Sequence, residues 1–208
     1  MHFFLLLFIP ALMACVIATD SKYNLKKLSP PIFLGFFAGI IVSAFIEFFV
    51  NSETIPGSSF FSIMLPMSTG TLLPSIILSA LFIFFSKDDN EYKAYSILPL
   101  LGAFYSIYTP YMTLAQGEKD SFFMNFTSPL IYIETILFFS CAVKHGFRNF
   151  GDRKGKIAVS AVLGIAALLI QPSIHALWYL HSTAKAAYAI AFLLLPSSIF
   201  VYKFFCKR

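Results

Sequence analysis

Charged residues are what this chain has least of: they make up 12% of its 208 residues, against about a quarter in an ordinary soluble domain. That shortage excludes a conventional solvated surface. There is no glycine-rich phosphate loop, no nucleophile elbow and no internal repeat. The three cysteines, Cys15, Cys141 and Cys206, include no pair at metal-binding spacing and read as reduced, buried small residues. No Lys or Arg precedes the first apolar run, so it lacks the positive segment of a secretory signal, and Cys15 in LMAC is not read as a lipoprotein cysteine. The net charge is +5, yet no basic stripe is interleaved with stacking aromatics, which excludes a nucleic-acid surface.

What the chain has instead is apolar length. Hydrophobic residues make up 58% of it and the mean hydropathy is +0.79. About 20 apolar residues span a bilayer, and seven such runs are present: Phe3 to Thr19, Ile32 to Val50, Phe60 to Ser86, Tyr95 to Ala115, Phe122 to Val143, Ile157 to Tyr179 and Ala186 to Phe205. Basic residues concentrate on the cytoplasmic side of membrane proteins. With the N-terminus outside, thirteen of them fall inside and only Lys119 and Lys185 fall outside. The expectation is an all-α, polytopic bundle of seven spans, N-terminus out and C-terminus cytoplasmic. Residues 1–208 form one transmembrane domain in a bacterial-type inner membrane, with the lipid bilayer as first partner and no cofactor.

The third span is the oddest. Within IPGSSFFSIMLPMSTGTLLPSIILSALFIFFS, Pro66, Gly70 and Pro74 recur at four-residue spacing. Each proline removes a backbone donor and clashes with the carbonyl four residues earlier, so this helix is expected to be broken. Irregular backbone is tolerated at membrane depth only where protein or water satisfies it. Ser68, Thr69 and Thr71 are accordingly expected to line a groove.

Other spans carry isolated polar features. In the second, Gly35, Gly39 and Ser43 at four-residue intervals allow close approach of another helix, and Glu47 lies near its outer end. In the fourth, Tyr105, Tyr108 and Tyr111 form a stripe that reads as helix packing with hydroxyls seeking partners. The fifth holds Glu134 near its midpoint, where an ionisable group is expensive and must face protein or water. The sixth ends in IQPSIHALWYLHS, with His175 in the membrane and His181 near the interface. Six residues separate them, which puts the side chains on different faces, so no zinc pair is expected. Glu47 and His175 lie at similar depth and are expected to meet.

Several stretches together resemble the PrsW-type intramembrane proteases, distant kin of the CAAX-processing membrane peptidases. They are KYNLKKLSPPIFLGFFAGIIVSAFIEFFV, GSSFFSIMLPMSTGTLLPSIILS, YKAYSILPLLGAFYSIYTPYMTL and PSIHALWYLH. The resemblance implies that the family's Glu-Glu-x-x-Lys motif falls on Leu73, Pro74 and Ile77, its Glu-Asn pair on Thr109 and Pro110, and its first histidine near Tyr132 or Ile133. Only His175, within SIHALW, matches an active-site position. A hydrolase needs a base, and a metal site needs several ligands. The resemblance therefore implies a protein that has lost the catalytic motif and binds membrane partners or single-span segments, with Ser68, Thr69, Thr71, Tyr105 and Tyr108 as binding residues and no metal. Two alternatives stay open: a divergent active protease rebuilt on Glu134, His175 and Glu47, and a small transporter or channel, for which a buried carboxylate and proline-interrupted helices are the usual signs.

Overall fold

In a computed structural model of the protein, the residues described are 24–49, 58–115, 127–148, 154–180 and 183–202. They fold into seven α-helices: α1 (Leu25–Phe49), α2 (Phe60–Phe85), α3 (Asn90–Ala115), α4 (Ser128–Arg148), α5 (Lys154–Leu168), α6 (Ile170–Tyr179) and α7 (Ala184–Val201). No strand occurs among the described residues. The expected first span, Phe3 to Thr19, lies outside them, as do Cys15, Cys206 and His181.

Five stretches are long and apolar enough to cross a membrane: Lys26–Phe45, Phe60–Phe85, Ser128–Arg148, Ile157–Tyr179 and Ala184–Val201. This is a multi-pass membrane protein by length and composition. The expected fourth span falls in α3, which is 26 residues long but is not among the five. Its position explains its milder hydropathy. Every residue from Ser96 through Ser106 is buried, with α1, α2 and α4 packed around it. A helix surrounded by protein does not need the uniformly apolar surface that lipid demands.

The α1–α3 contact is the broadest in the bundle, and the glycines of α1 make it possible. A Cβ on Gly35 would collide with the Leu100 carbonyl oxygen, and one on Gly39 would come within 2.9 Å of the Phe104 carbonyl oxygen and of Ile107. The small-residue stripe is thus used within the chain. The junction is pinned at one end by Tyr92, whose hydroxyl donates to the Lys27 carbonyl (2.7 Å). Asp89 caps α3 by accepting from the Tyr92 N–H (2.6 Å).

One expectation about a helix break is reversed. The third span is not broken: α2 runs continuously from Phe60 to Phe85 with Pro66 and Pro74 inside it. Each proline withdraws the usual donor from the carbonyl four residues back, Ser62 for Pro66 and Gly70 for Pro74, and hydroxyls add bonds to other carbonyls nearby. Ser68 Oγ donates to the Leu65 carbonyl (2.6 Å) and Thr69 Oγ1 to the Pro66 carbonyl (2.7 Å). Beside Pro74, the Tyr105 hydroxyl donates to the Thr71 carbonyl (3.1 Å) and shares a 2.6 Å hydrogen bond with Ser75 Oγ. The sixth span, Ile157–Tyr179, is kept as one stretch able to cross a membrane, with a single turn residue, Leu169, between α5 and α6. Pro172 has no N–H to offer the Leu168 carbonyl, and Leu169 N–H reaches back to both Ile165 and Ala166 (3.2 Å each). A further correction concerns Cys141, which is disulfide-bonded rather than reduced.

Candidate functional site

The buried polar side chains that cross between helices gather where α2, α4 and α6 meet. Thr71 lies on the inward face of α2 with Ser68, Ser75 and Ser79, a spacing of three and four residues that aligns side chains on one side of a helix. Its Oγ1 donates to Gln171 Oε1 of α6 (2.6 Å). Gln171 and His175 are four residues apart, so their side chains stack on one face of α6. Ser128, at the start of α4, approaches His175 Nε2 at 3.4 Å. All four side chains are buried, and the Tyr132 ring lies 6.4 Å from the imidazole.

Two tautomers satisfy this geometry. With Nδ1 unprotonated, the Gln171 amide donates to Nδ1 (3.1 Å) and Nε2–H donates to Ser128. With Nδ1 protonated, it donates to the Gln171 backbone carbonyl (3.0 Å) and Nε2 accepts from Ser128. Either way these hydrogen bonds join the imidazole to uncharged groups. A buried polar group must be partnered to be tolerated, and this chain of contacts meets that need.

Glu134 stands apart from His175. It lies six residues beyond Ser128 on α4, about 9 Å along the helix axis at 1.5 Å per residue. Its side chain is fully buried, and neither carboxylate oxygen has a hydrogen-bond partner among the described residues. The neighbouring Thr135 Oγ1 is likewise buried without one. The helices facing this part of α4 run antiparallel to it. Ser128 meets His175 and Phe139 meets Gly164, and between these two points Glu134 is level with Leu169. The one buried carboxylate of α4 therefore stands at the height of the interruption between α5 and α6.

The residues expected to line a groove are occupied elsewhere. Ser68 and Thr69 bond to carbonyls of their own helix, Thr71 to Gln171, and Tyr105 to α2. Tyr108 is buried in the core, stacked on Phe104 with centroids 5.2 Å apart, and a Cβ on Gly70 would come 3.1 Å from its hydroxyl. These tyrosines hold α2 to α3. Glu47 lies in α1, but its side chain is outside the described residues, and so is its expected meeting with His175. No group of three or more His, Cys, Asp or Glu side chains able to hold a metal occurs among the described residues.

The positions implied by the protease resemblance do not converge. Leu73 and Ile77 are 54% and 51% exposed on the bundle surface, on the face of α2 turned away from Thr71 and His175. Thr109 and Tyr132 are buried. Sequence reasoning passed over Gln171 and Ser128. A glutamine four residues before a histidine, in an otherwise apolar helix, was the available signal for the first. Ser128 had none, because its role depends on contact with a different helix. No protein-family model, no curated protein and no solved structure matches the chain.

Proposed function

We propose that this protein is a non-catalytic, PrsW-like multi-pass protein of a bacterial-type inner membrane, with its N-terminus outside, that binds single-span membrane segments without cutting them. The observation that carries the reading is the orientation of α2. The motif's first acid, at position 73, and its lysine, at position 77, would face outward, away from His175, which is instead enclosed by Thr71, Gln171 and Ser128. Water activation needs a base in reach of the reacting centre, and the bonds around this histidine fix its position. The binding surface is the outward face of α2, where Leu65, Leu73, Ile76 and Ile77 are exposed beside Thr69.

The test is a photo-crosslinking amino acid placed at Leu73, with Val162 of α5, equally exposed, as control. Crosslinks to an intact single-span protein from position 73 alone are expected. Cleavage of a co-expressed single-span reporter that is lost in His175→Ala would overturn the reading in favour of an active protease.

A second reading, a small cation-linked transporter, is favoured by one observation: Glu134 is buried without a hydrogen-bond partner at the height of a helix interruption. Discontinuous helices and a carboxylate within the bundle are how many transporters hold a coupling ion.

A further inference from the structure

α4 closes on a polar stripe that neither reading of function uses. Ser140, Lys144 and Arg148 follow one another at four-residue spacing, which lines them up on one face of the helix. Lys144 stands about 6 Å short of Arg148 and the helix end, at 1.5 Å per residue. Arg148 is exposed, whereas Lys144 is only 7% exposed and Ser140 only 3%.

The buried ammonium has donors to spare. It carries three N–H groups. One donates to the Tyr95 hydroxyl of α3 (2.7 Å), and the ring of the same tyrosine has its centroid 3.9 Å away. Tyr95 is its only hydrogen-bond partner among the described residues. One turn back along α4, Ser140 Oγ is buried with no partner among them. Side chains on a helix lean toward its N-terminus, so the Lys144 stem runs back over the turn that holds Ser140. Two neighbouring donors therefore lack an acceptor, and a buried charge is tolerated when it is paired.

The acids nearby do not supply the pairing. Lys144 meets Tyr95 and Tyr132 meets Tyr105, so α3 and α4 run antiparallel. Glu91, one turn before Tyr95, is accordingly level with Arg148, and it is exposed. Its charge reaches Lys144 from the helix end without a hydrogen bond between them. Asp88 accepts from Ser86 Oγ (2.7 Å) and Asp89 from the Tyr92 N–H. A buried ammonium with a guanidinium one turn beyond it on the same face suits an anion that offers several oxygens on one centre. Phosphate is that anion, since Lys and Arg are its usual side-chain partners.

We propose that Lys144, held by Tyr95, forms with Arg148 and Ser140 a binding site for one phosphate group, carried by an anionic phospholipid or free in solution. Basic pockets near the ends of spans are where anionic headgroups bind. The site is separate from the outward face of α2 and from Glu134, so it stands or falls independently of both readings of function.

A ligand that binds only the folded state raises its stability by mass action. The purified full-length protein in detergent is melted with phosphatidylglycerol or phosphatidylcholine added, and again in sodium phosphate or sodium chloride of equal ionic strength. Wild type is compared with Lys144→Gln, Arg148→Gln and Lys87→Gln, the last removing a charge from the exposed turn before α3 at the same end of the bundle. A wild-type Tm several degrees higher in phosphatidylglycerol than in phosphatidylcholine identifies a lipid headgroup. One higher in phosphate than in chloride, with the two lipids equal, identifies free phosphate. Either rise is expected to be lost in Lys144→Gln, reduced in Arg148→Gln and kept in Lys87→Gln. Equal Tm values in both comparisons, a rise that Arg148→Gln leaves whole, or one that Lys87→Gln reduces as much overturns the proposal. Should Lys144→Gln fail to fold, Arg148→Gln, at an exposed position, decides by the same criteria.

Discussion

Several helices of this protein carry proline in their interior, and α2 and the α5–α6 span differ in what surrounds it. In α2, Pro66 and Pro74 sit in a continuous helix. Between α5 and α6, Pro172 accompanies a break at Leu169. The chemistry of proline is the same in both places, so the neighbours decide. Around the prolines of α2, hydroxyls of Ser68, Thr69 and Tyr105 donate to carbonyls of the same stretch. Around Pro172, the adjacent polar side chains are engaged elsewhere: Gln171 with Thr71 and His175, and Ser173 with Met64 of α2 (3.5 Å). The nearby hydroxyls of α2 are spent on carbonyls of that helix, whereas Gln171 and Ser173 beside Pro172 reach across to α2.

The contrast can be broken most severely through Gln171, which ties the interrupted span to the intact one. Gln171→Leu removes the side-chain acceptor of Thr71 and the amide neighbour of His175. Each stranded buried group costs about 1–3 kcal/mol, and a correspondingly lowered Tm in detergent is expected. A Tm equal to that of wild type would mean that the α2–α6 contact contributes packing alone.

Tyr105→Phe sharpens the comparison at one carbonyl. It removes the donor to the Thr71 carbonyl and the partner of Ser75 while keeping the ring contact with Tyr132. The expected loss is about 1 kcal/mol or somewhat more, with faster amide hydrogen exchange in α2 around Pro74 than in wild type. Unchanged exchange there would show that α2 holds its shape without the phenol.

The smallest effect is expected at the α1–α3 junction, away from either proline. Burial pushes the Tyr92 phenol up, with the Ser96 hydroxyl opposing and Asp88 adding to the shift. At neutral pH the phenol is protonated in both the folded and unfolded chain and donates to Lys27. As pH rises past the ordinary tyrosine value of about 10, the unfolded chain releases this proton before the folded one does, so stability falls. Tyr92→Phe is expected to lose about 1 kcal/mol at neutral pH and to show a shallower alkaline decline in Tm. A decline as steep as that of wild type would assign the titration to another group.

Much of the architecture was legible in the residues. Of the seven apolar runs, five coincide with stretches able to cross a membrane among the described residues, and the Gly35–Gly39–Ser43 spacing marked the close approach that α1 makes to α3. The tyrosine stripe read as helix packing, and the contacts of Tyr105 and Tyr108 are packing contacts. The candidate site was less legible. His175 and Glu134 were visible as polar groups in apolar segments, but their separation along α4 and the partners of His175 depend on how the helices are aligned. Near Pro74 the bonding depends on the Tyr105 hydroxyl brought in by another helix, which local spacing does not report.

The sequence by itself determined that this is a multi-pass helical protein, because the cost of exposing polar groups to lipid restricts which segments cross the bilayer and forces them to be helical. It also placed one carboxylate deep in an apolar segment. The tertiary structure decided that α2 runs unbroken past both prolines, where its hydroxyls are bonded, and that Gln171 and Ser128 surround His175. Those outcomes rest on contacts between residues distant in sequence. A hydrogen bond across helices forms only when packing brings donor and acceptor within about 3 Å, and no single segment encodes that distance.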